Sequence, residues 1–293
     1  MKKLYALLFL MMFVAITATL SFPQKNAGKA SDFPVLKGPY LGQKPPGLTP
    51  VIFAPGIISS ADYHELGGGT FSPDGKEYYF TRDIDNRWTI MVSRLESEGW
   101  TFPEPENFSE GFTALEPHIT FDNRRIFWAS WGWKNTGTYM ATRTSEGWSE
   151  AEYVGPGMMV SSSRDGQMYV TDTQLKPNQI VNVQIENGRF TQYKKLSGKI
   201  EQFQSENSTV HPCISPDGSY IIFDTNGTSL YLSFRNMDNE WGKPIDLTKH
   251  GFHPEAGIAS ISPDGKYLFF GRNGDIYWVD AKIIENLKPV EFK

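Results

Sequence analysis

Three stretches of the chain read almost alike: FSPDGKEYYFTR at 71–82, ISPDGSYIIFDT at 214–225 and ISPDGKYLFFGR at 261–272. Each joins an apolar residue, a Ser-Pro-Asp-Gly turn and a run of aromatic and β-branched residues. Asp-Gly accepts the positive φ angles of a tight hairpin turn, and the run that follows suits a strand. Two weaker copies lie between them, FDNRRIFWAS at 121–130 and SSRDGQMYVTD at 162–172. The turn aspartates Asp74, Asp122, Asp165, Asp217 and Asp264 stand 48, 43, 52 and 47 residues apart. A period of this length marks an array of like supersecondary units.

Outward from each copy the pattern continues. A third strand with alternating polarity follows, as in WTIMVSRL (88–95) and TSLYLSFRN (228–236). A second turn then ends at Trp100, Trp148, Phe190 and Trp241, with nearly the same period. Four copies add a short fourth strand. The fifth lacks one, but LTPVIFAPG (48–56) resembles it. The expectation is an all-β chain: a single five-bladed β-propeller over 47–288, closed by an N-terminal strand, with six blades as the alternative. Closure would put the stretch around Val51 beside the sheet containing Tyr277 and remove an exposed edge.

The turns at Ser72–Gly75, Ser215–Gly218 and Ser262–Gly265 resemble the WD40-like propeller repeat found in the C-terminal domain of TolB-type proteins. The resemblance covers about 50–284. It implies a propeller. Because the repeat occurs in binding modules and in some enzymes, function has to be argued from the site.

Composition narrows the classes. Lys+Arg is 28 against Asp+Glu 33, so the formal net charge is −5 and no basic patch for nucleic acid is expected. One cysteine, Cys213, allows neither an internal disulfide nor a zinc–thiolate cluster. Two lysines and then LYALLFLMMFVAITATL read as a signal peptide over 1–22, with an uncleaved membrane anchor as the alternative. Residues 23–46, rich in Pro, Gly and Lys, read as a flexible tether, and 289–293 as a tail. The expected location is periplasmic or extracellular, with no membrane span after cleavage.

A four-stranded blade puts its first strand along the central channel. The SPDG turns then lie on one face. The connections from one blade's outer strand to the next blade's inner strand lie on the other. Those connections hold all five histidines. Counting back from Phe121 and Ile214 puts His118 and His211 at one offset, and from Phe71 and Ile261 Glu65 and Glu255 at another. Matching offsets predict matching heights in one funnel. The candidate ligand-binding residues are His64, Glu65, Arg82, Glu116, His118, Trp131, Trp133, His211, His253, Glu255 and Arg272. Trp131 and Trp133 could stack on a sugar or grip a peptide, with Arg82 and Arg272 holding a carboxylate. The histidines with Glu65 or Glu255 could hold a divalent metal, although no cofactor is the leading expectation. A His with a Glu or Arg could also remove a proton beside a sugar carboxylate, by analogy with propeller-type oligogalacturonate lyases. The leading expectation is non-catalytic binding of a protein or oligosaccharide. A polysaccharide lyase or glycoside hydrolase is the alternative. No nucleophile elbow, Walker loop or zinc-protease helix occurs.

Overall fold

The structure is a computed structural model that describes residues 33–289 apart from 107, 109–110 and 132–134. The expected signal segment, the first part of the tether and most of the tail lie outside the described residues.

Five antiparallel sheets make five blades. Blade 1 runs from its inner to its outer strand as Glu65–Phe71, Glu77–Ile84, Arg87–Arg94 and Glu104–Pro105. Blade 2 is Thr113–Ile119, Arg125–Trp131, Gly137–Thr144 and Glu152–Gly155, with the short Gly147–Trp148 also on its third strand. Blade 3 is Met158–Ser162, Met168–Asp172, Gln179–Glu186 and Arg189–Lys195. Blade 4 is Val210–Ile214, Tyr220–Thr225, Thr228–Phe234 and Ile245–Asp246. Blade 5 is Gly257–Ile261, Tyr267–Arg272 and Asp275–Asp280, completed by Val51–Ile52 from the other end of the chain. Val51 pairs with Trp278 and Ile52 with Tyr277, the closure expected from the sequence.

The turns explain why all five copies fold alike. Ser72 donates its hydroxyl to Asp74 at 2.6 Å, Ser215 to Asp217 at 2.7 Å and Ser262 to Asp264 at 2.7 Å. The divergent copies keep the device. Thr120 donates to Asp122 at 2.6 Å, and Ser163 to Asp165. Asn123 takes the left-handed position at φ 57° that glycine takes elsewhere. These local side-chain bonds fix the hairpin and hence the register.

Five apolar clusters fill the five blade interfaces. Tyr78, Phe80 and Trp100 of blade 1 meet Phe269 and Trp278 of blade 5. Tyr79 and Val92 meet Trp128 and Tyr139 of blade 2, and Phe127 meets Val170 and Val183 of blade 3. Tyr169 meets Ile221 and Trp241 of blade 4, and Leu230 meets Phe270 and Val279 of blade 5. Two arginines tie blades together. Arg143 bonds Glu77 at 2.5 Å and lies 4.1 Å from the Trp148 ring centroid. Arg235 bonds Gln167 and Tyr169.

The seam between blades 5 and 1 differs from the others. A Cβ on Gly68 would lie 2.6 Å from Ser260 Oγ and 2.8 Å from the Phe269 carbonyl oxygen. Only glycine lets the strand pass so close. Part of the segment read as a tether is packed here. Trp100 donates its backbone N–H to Leu36 O and its ring N–H to Gly38 O, both within 2.9 Å. Tyr40 packs edge-on against Phe71 and Tyr267 and donates to Asp264 at 3.0 Å. Leu41 is buried. Composition suggested a polar linker, but Leu36, Tyr40 and Leu41 supply enough apolar surface to dock it.

Candidate functional site in the axial channel

Every inner strand carries a bulge; the one in blade 1 also holds Gly69 at φ 65°, and at one shared position every bulge has a residue in the left-handed region. These residues are Gly67 (φ 75°), Glu116 (57°), Met159 (62°), His211 (54°) and Ile258 (52°). The register shifts that mark them lie between Leu66 and Thr70, Leu115 and His118, Met158 and Ser161, Val210 and Cys213, and Gly257 and Ser260. Glutamate, histidine and isoleucine share this unusual backbone because the architecture imposes it at one height in all five blades. All five residues line one axial cavity.

The second strand of the preceding blade holds three of these bulges. Glu116 N–H donates to Thr81 Oγ1 at 2.9 Å, His211 N–H to Thr171 Oγ1 at 3.2 Å and Ile258 N–H to Asp224 Oδ2 at 2.8 Å. Thr81, Thr171 and Asp224 occupy equivalent positions in their repeats. In blade 5 that position is Gly271, whose Cβ would fall 2.8 Å from Gly67 N.

The polar centre of the channel is a line of three groups. His211 Nε2 lies 3.2 Å from Glu116 Oε1, bridging blade 4 to blade 2. His211 Nδ1 lies 2.8 Å from Asp224 Oδ2. Burial works against a charged ring here. The Asp224 carboxylate, and then that of Glu116, outweigh it and raise His211 to about 10. The ring is therefore an imidazolium at neutral pH, held between two carboxylates. Asp224 also accepts from Gly227 N–H at 2.6 Å. Glu116 Oε2 is buried and has no hydrogen-bond partner among the described residues.

His118 sits beside this line, its Nε2 2.7 Å from Ser162 Oγ in blade 3. Burial lowers it to about 4, so it is neutral at pH 7. The cavity follows all five inner strands to the SPDG turns, where Pro73, Phe121, Pro216 and Pro263 line it. Arg164 reaches across that end. Its guanidinium donates to Pro263 O at 3.0 Å and lies 5.4 Å from the Phe121 ring centroid. On the other side of the bulges, Leu115 and Met158 cluster with Leu66, Trp88 and Met159.

The structure divides the candidate residues. Glu116, His118 and His211 share the cavity. The equal heights expected for His118 and His211 do not hold. Phe121 lies in the turn, level with Pro216, and Ile119 is the residue that matches Ile214. Glu116, two residues before His118, therefore faces His211. Glu65 and Arg82 pair with each other at 2.7 Å, almost wholly buried inside blade 1. His64 packs edge-on against Trp88 at 5.6 Å. His253 and Glu255 are exposed and face only each other, 3.5 Å apart. Arg272 lies over Tyr277 at 5.5 Å. Trp131 is 40% exposed at the end of its strand, and Trp133 lies outside the described residues. Among the described residues, no three His, Cys, Asp or Glu side chains converge on a point that could hold a metal ion. The expected metal ligands are distributed over the channel, the blade 1 interior and a surface loop.

Asp224 and Ser162 both anchor the cavity's imidazoles, Asp224 through His211 and Ser162 through His118. A signal for the true register was present. Glu116-Pro117 and His211-Pro212 are each followed two residues later by an isoleucine, Ile119 or Ile214.

No protein-family model and no curated protein matches the chain. Among solved structures it is similar to TolB from Acinetobacter baumannii, at 15% identity and a TM-score of 0.48, over 76% of this chain and 53% of that one. The chain thus spans about half the length of that structure. It is similar to a gluconolactonase from Xanthomonas campestris, at 10% identity and a TM-score of 0.45, over 80% and 96% of the two chains. It is also similar to the Swd1 propeller domain of Myceliophteria thermophila, at 13% identity and a TM-score of 0.42, over 73% and 65%. The five-bladed propeller fold rests on this chain's own strand order and on the pairing of Val51 with Trp278.

Proposed function

We propose that this protein is an extracytoplasmic β-propeller that binds a protein or glycan partner without transforming it, and that the partner's contacting group enters the axial cavity. The supporting observation is a cavity that follows all five inner strands and has Glu116 and His211 at its inner end. A concave site of mixed polar and apolar lining with a few converging polar groups suits recognition. The location rests on Lys2, Lys3 and the apolar run after them. No helix among the described residues is long and apolar enough to cross a membrane. Cys213 is a poor candidate nucleophile, since burial pushes its thiol well above the usual range.

The test is to probe peptide and acidic-oligosaccharide arrays with wild-type protein and with Met159→Trp, which fills the axis. Binders lost in the filled variant at unchanged thermal stability support the reading. Binders retained by it, or no binder at all, overturn it.

One observation favours an enzyme reading, the 2.7 Å contact between His118 and Ser162. A neutral imidazole on a serine hydroxyl is the first half of a nucleophile–base pair. Ser162 is only 3% exposed and packs at a blade interface, which favours a structural bond. Labelling by a fluorophosphonate probe, abolished by Ser162→Ala, would establish the enzyme reading. The binding reading predicts no labelling.

A further inference from the structure

The inner end of the cavity carries a charge imbalance that the protein does not resolve. Glu116 and Asp224 face one imidazolium. Both nitrogens of His211 are engaged, Nε2 by Glu116 Oε1 and Nδ1 by Asp224. Asp224 also accepts from Gly227 N–H and Ile258 N–H. Glu116 Oε2 has no donor among the described residues, although the Glu116 side chain is only 7% exposed. Buried carboxylate oxygens are ordinarily hydrogen-bonded. No lysine or arginine is among the cavity-lining residues. Arg164, the cation at the far mouth, is exposed and already donates to Pro263 O.

We infer that Glu116 Oε2 is the receptor for a ligand's ammonium group, and that the cavity takes an extended primary alkylamine with its cationic end at Glu116 and its aliphatic stem along the channel. This rests on reading the cavity as the binding site. The lining decides between kinds of cation. Ile258 stands level with Glu116, and Val160, Phe71, Pro216 and Pro263 are the apolar residues that line the cavity with it. A methylene chain gains by burial there, whereas a hydrated metal ion gains nothing. Metal binding also needs several converging ligands, and no such group occurs among the described residues. An ammonium brings three donors in any rotation, so it can satisfy Oε2 and still bond nearby hydroxyl or backbone oxygens. The same chemistry comes from a lysine side chain of a partner protein or from a free alkylamine.

The experiment is calorimetric titration of the full protein with hexylamine, hexanol and hexanoate. The amine is expected to bind about tenfold or more tightly than the alcohol, as a charge-assisted bond to a buried carboxylate implies. Hexanoate is expected not to bind. Glu116→Gln should remove the amine's advantage and leave hexanol unchanged. The amine-to-alcohol ratio in wild-type protein tests the claim even if that variant folds poorly. Equal affinity for amine and alcohol, both lost in Met159→Trp, would overturn the ammonium receptor and leave the cavity reading standing. Failure of all three probes, with no array binder displaced by Met159→Trp, would overturn both. With the amine bound, competition by a capped lysyl peptide assigns the site to a partner's side chain. No competition assigns it to a free amine. Both of those results sustain the receptor.

Discussion

Glu65 and Glu116 both begin as carboxylates on inner strands, both leave solvent, and by residue type they are equivalent. Glu65 is consumed by its own blade. Its carboxyl accepts from Arg82 Nε at 2.7 Å, and Arg82 donates onward to Ile58 O at 2.8 Å. Tyr63 and Phe80 lie against the guanidinium. Burial pushes Glu65 up to about 7 even with Arg82 pulling it down. Glu116 sits on a bulge at φ 57°, which turns its side chain out of the blade and across the axis. It meets His211 from blade 4 and keeps one oxygen free. Backbone conformation, more than residue type, separates a carboxylate paired inside its own blade from one turned toward the axis.

The largest effect should come from breaking the first of these. Arg82→Ala leaves the Glu65 carboxyl buried without its partner and should cost about 3–5 kcal/mol in chemical denaturation. Hexylamine affinity should be unchanged in the remaining folded protein. A loss of amine binding would mean that the two carboxylates are not separate systems.

The closing seam should be nearly as sensitive. Gly68→Ala places a methyl 2.8 Å from the Phe269 carbonyl oxygen and should cost about 1–3 kcal/mol. Gly166→Ala, on a turn with open space around it, meets only the strain of its φ of 86° and should cost less. Equal costs would deny the close approach.

The pH dependence sharpens the contrast further. His211 is raised to about 10 from 6.5. Below pH 6.5 the folded and unfolded states both carry the proton, and the stabilisation is fully present. Between about 6.5 and 10 only the folded state keeps it, so stability falls as pH rises, by at most about 1.4 kcal/mol per unit. His211→Gln should flatten that limb of the thermal-unfolding profile. The smallest effect is expected at Trp131, an exposed strand end. Trp131→Ala should stay within about 0.5 kcal/mol of wild type.

The repeat made the blades legible because each SPDG turn is a local device, a hydroxyl, a carboxylate and a left-handed residue within four positions. Closure was legible because Val51–Ile52 supplies the strand that the fifth repeat lacks. The packed strap at Leu36–Leu41 was not, since three apolar residues in a polar stretch leave no periodic trace. The site was half legible. Glu116, His118 and His211 carry the chemistry of a polar site, but Phe121, from which the height of His118 is counted, is a turn residue. Inner-strand bulges shift the register, by one residue in blades 2 to 5 and by two in blade 1, and turn a side chain toward the axis. No alternation of apolar and polar residues records such a change. Ser162 enters through a contact between blades 2 and 3, which sequence spacing alone does not express.

The most direct test of the axial bridge is a titration of the His211 ring followed by NMR, in wild-type protein and in Glu116→Gln. An imidazolium that persists through pH 8 in wild type, and titrates lower once Glu116 is neutralised, is the predicted result. A ring that loses its proton near 6.5 in both proteins would contradict the bridge between blades 2 and 4.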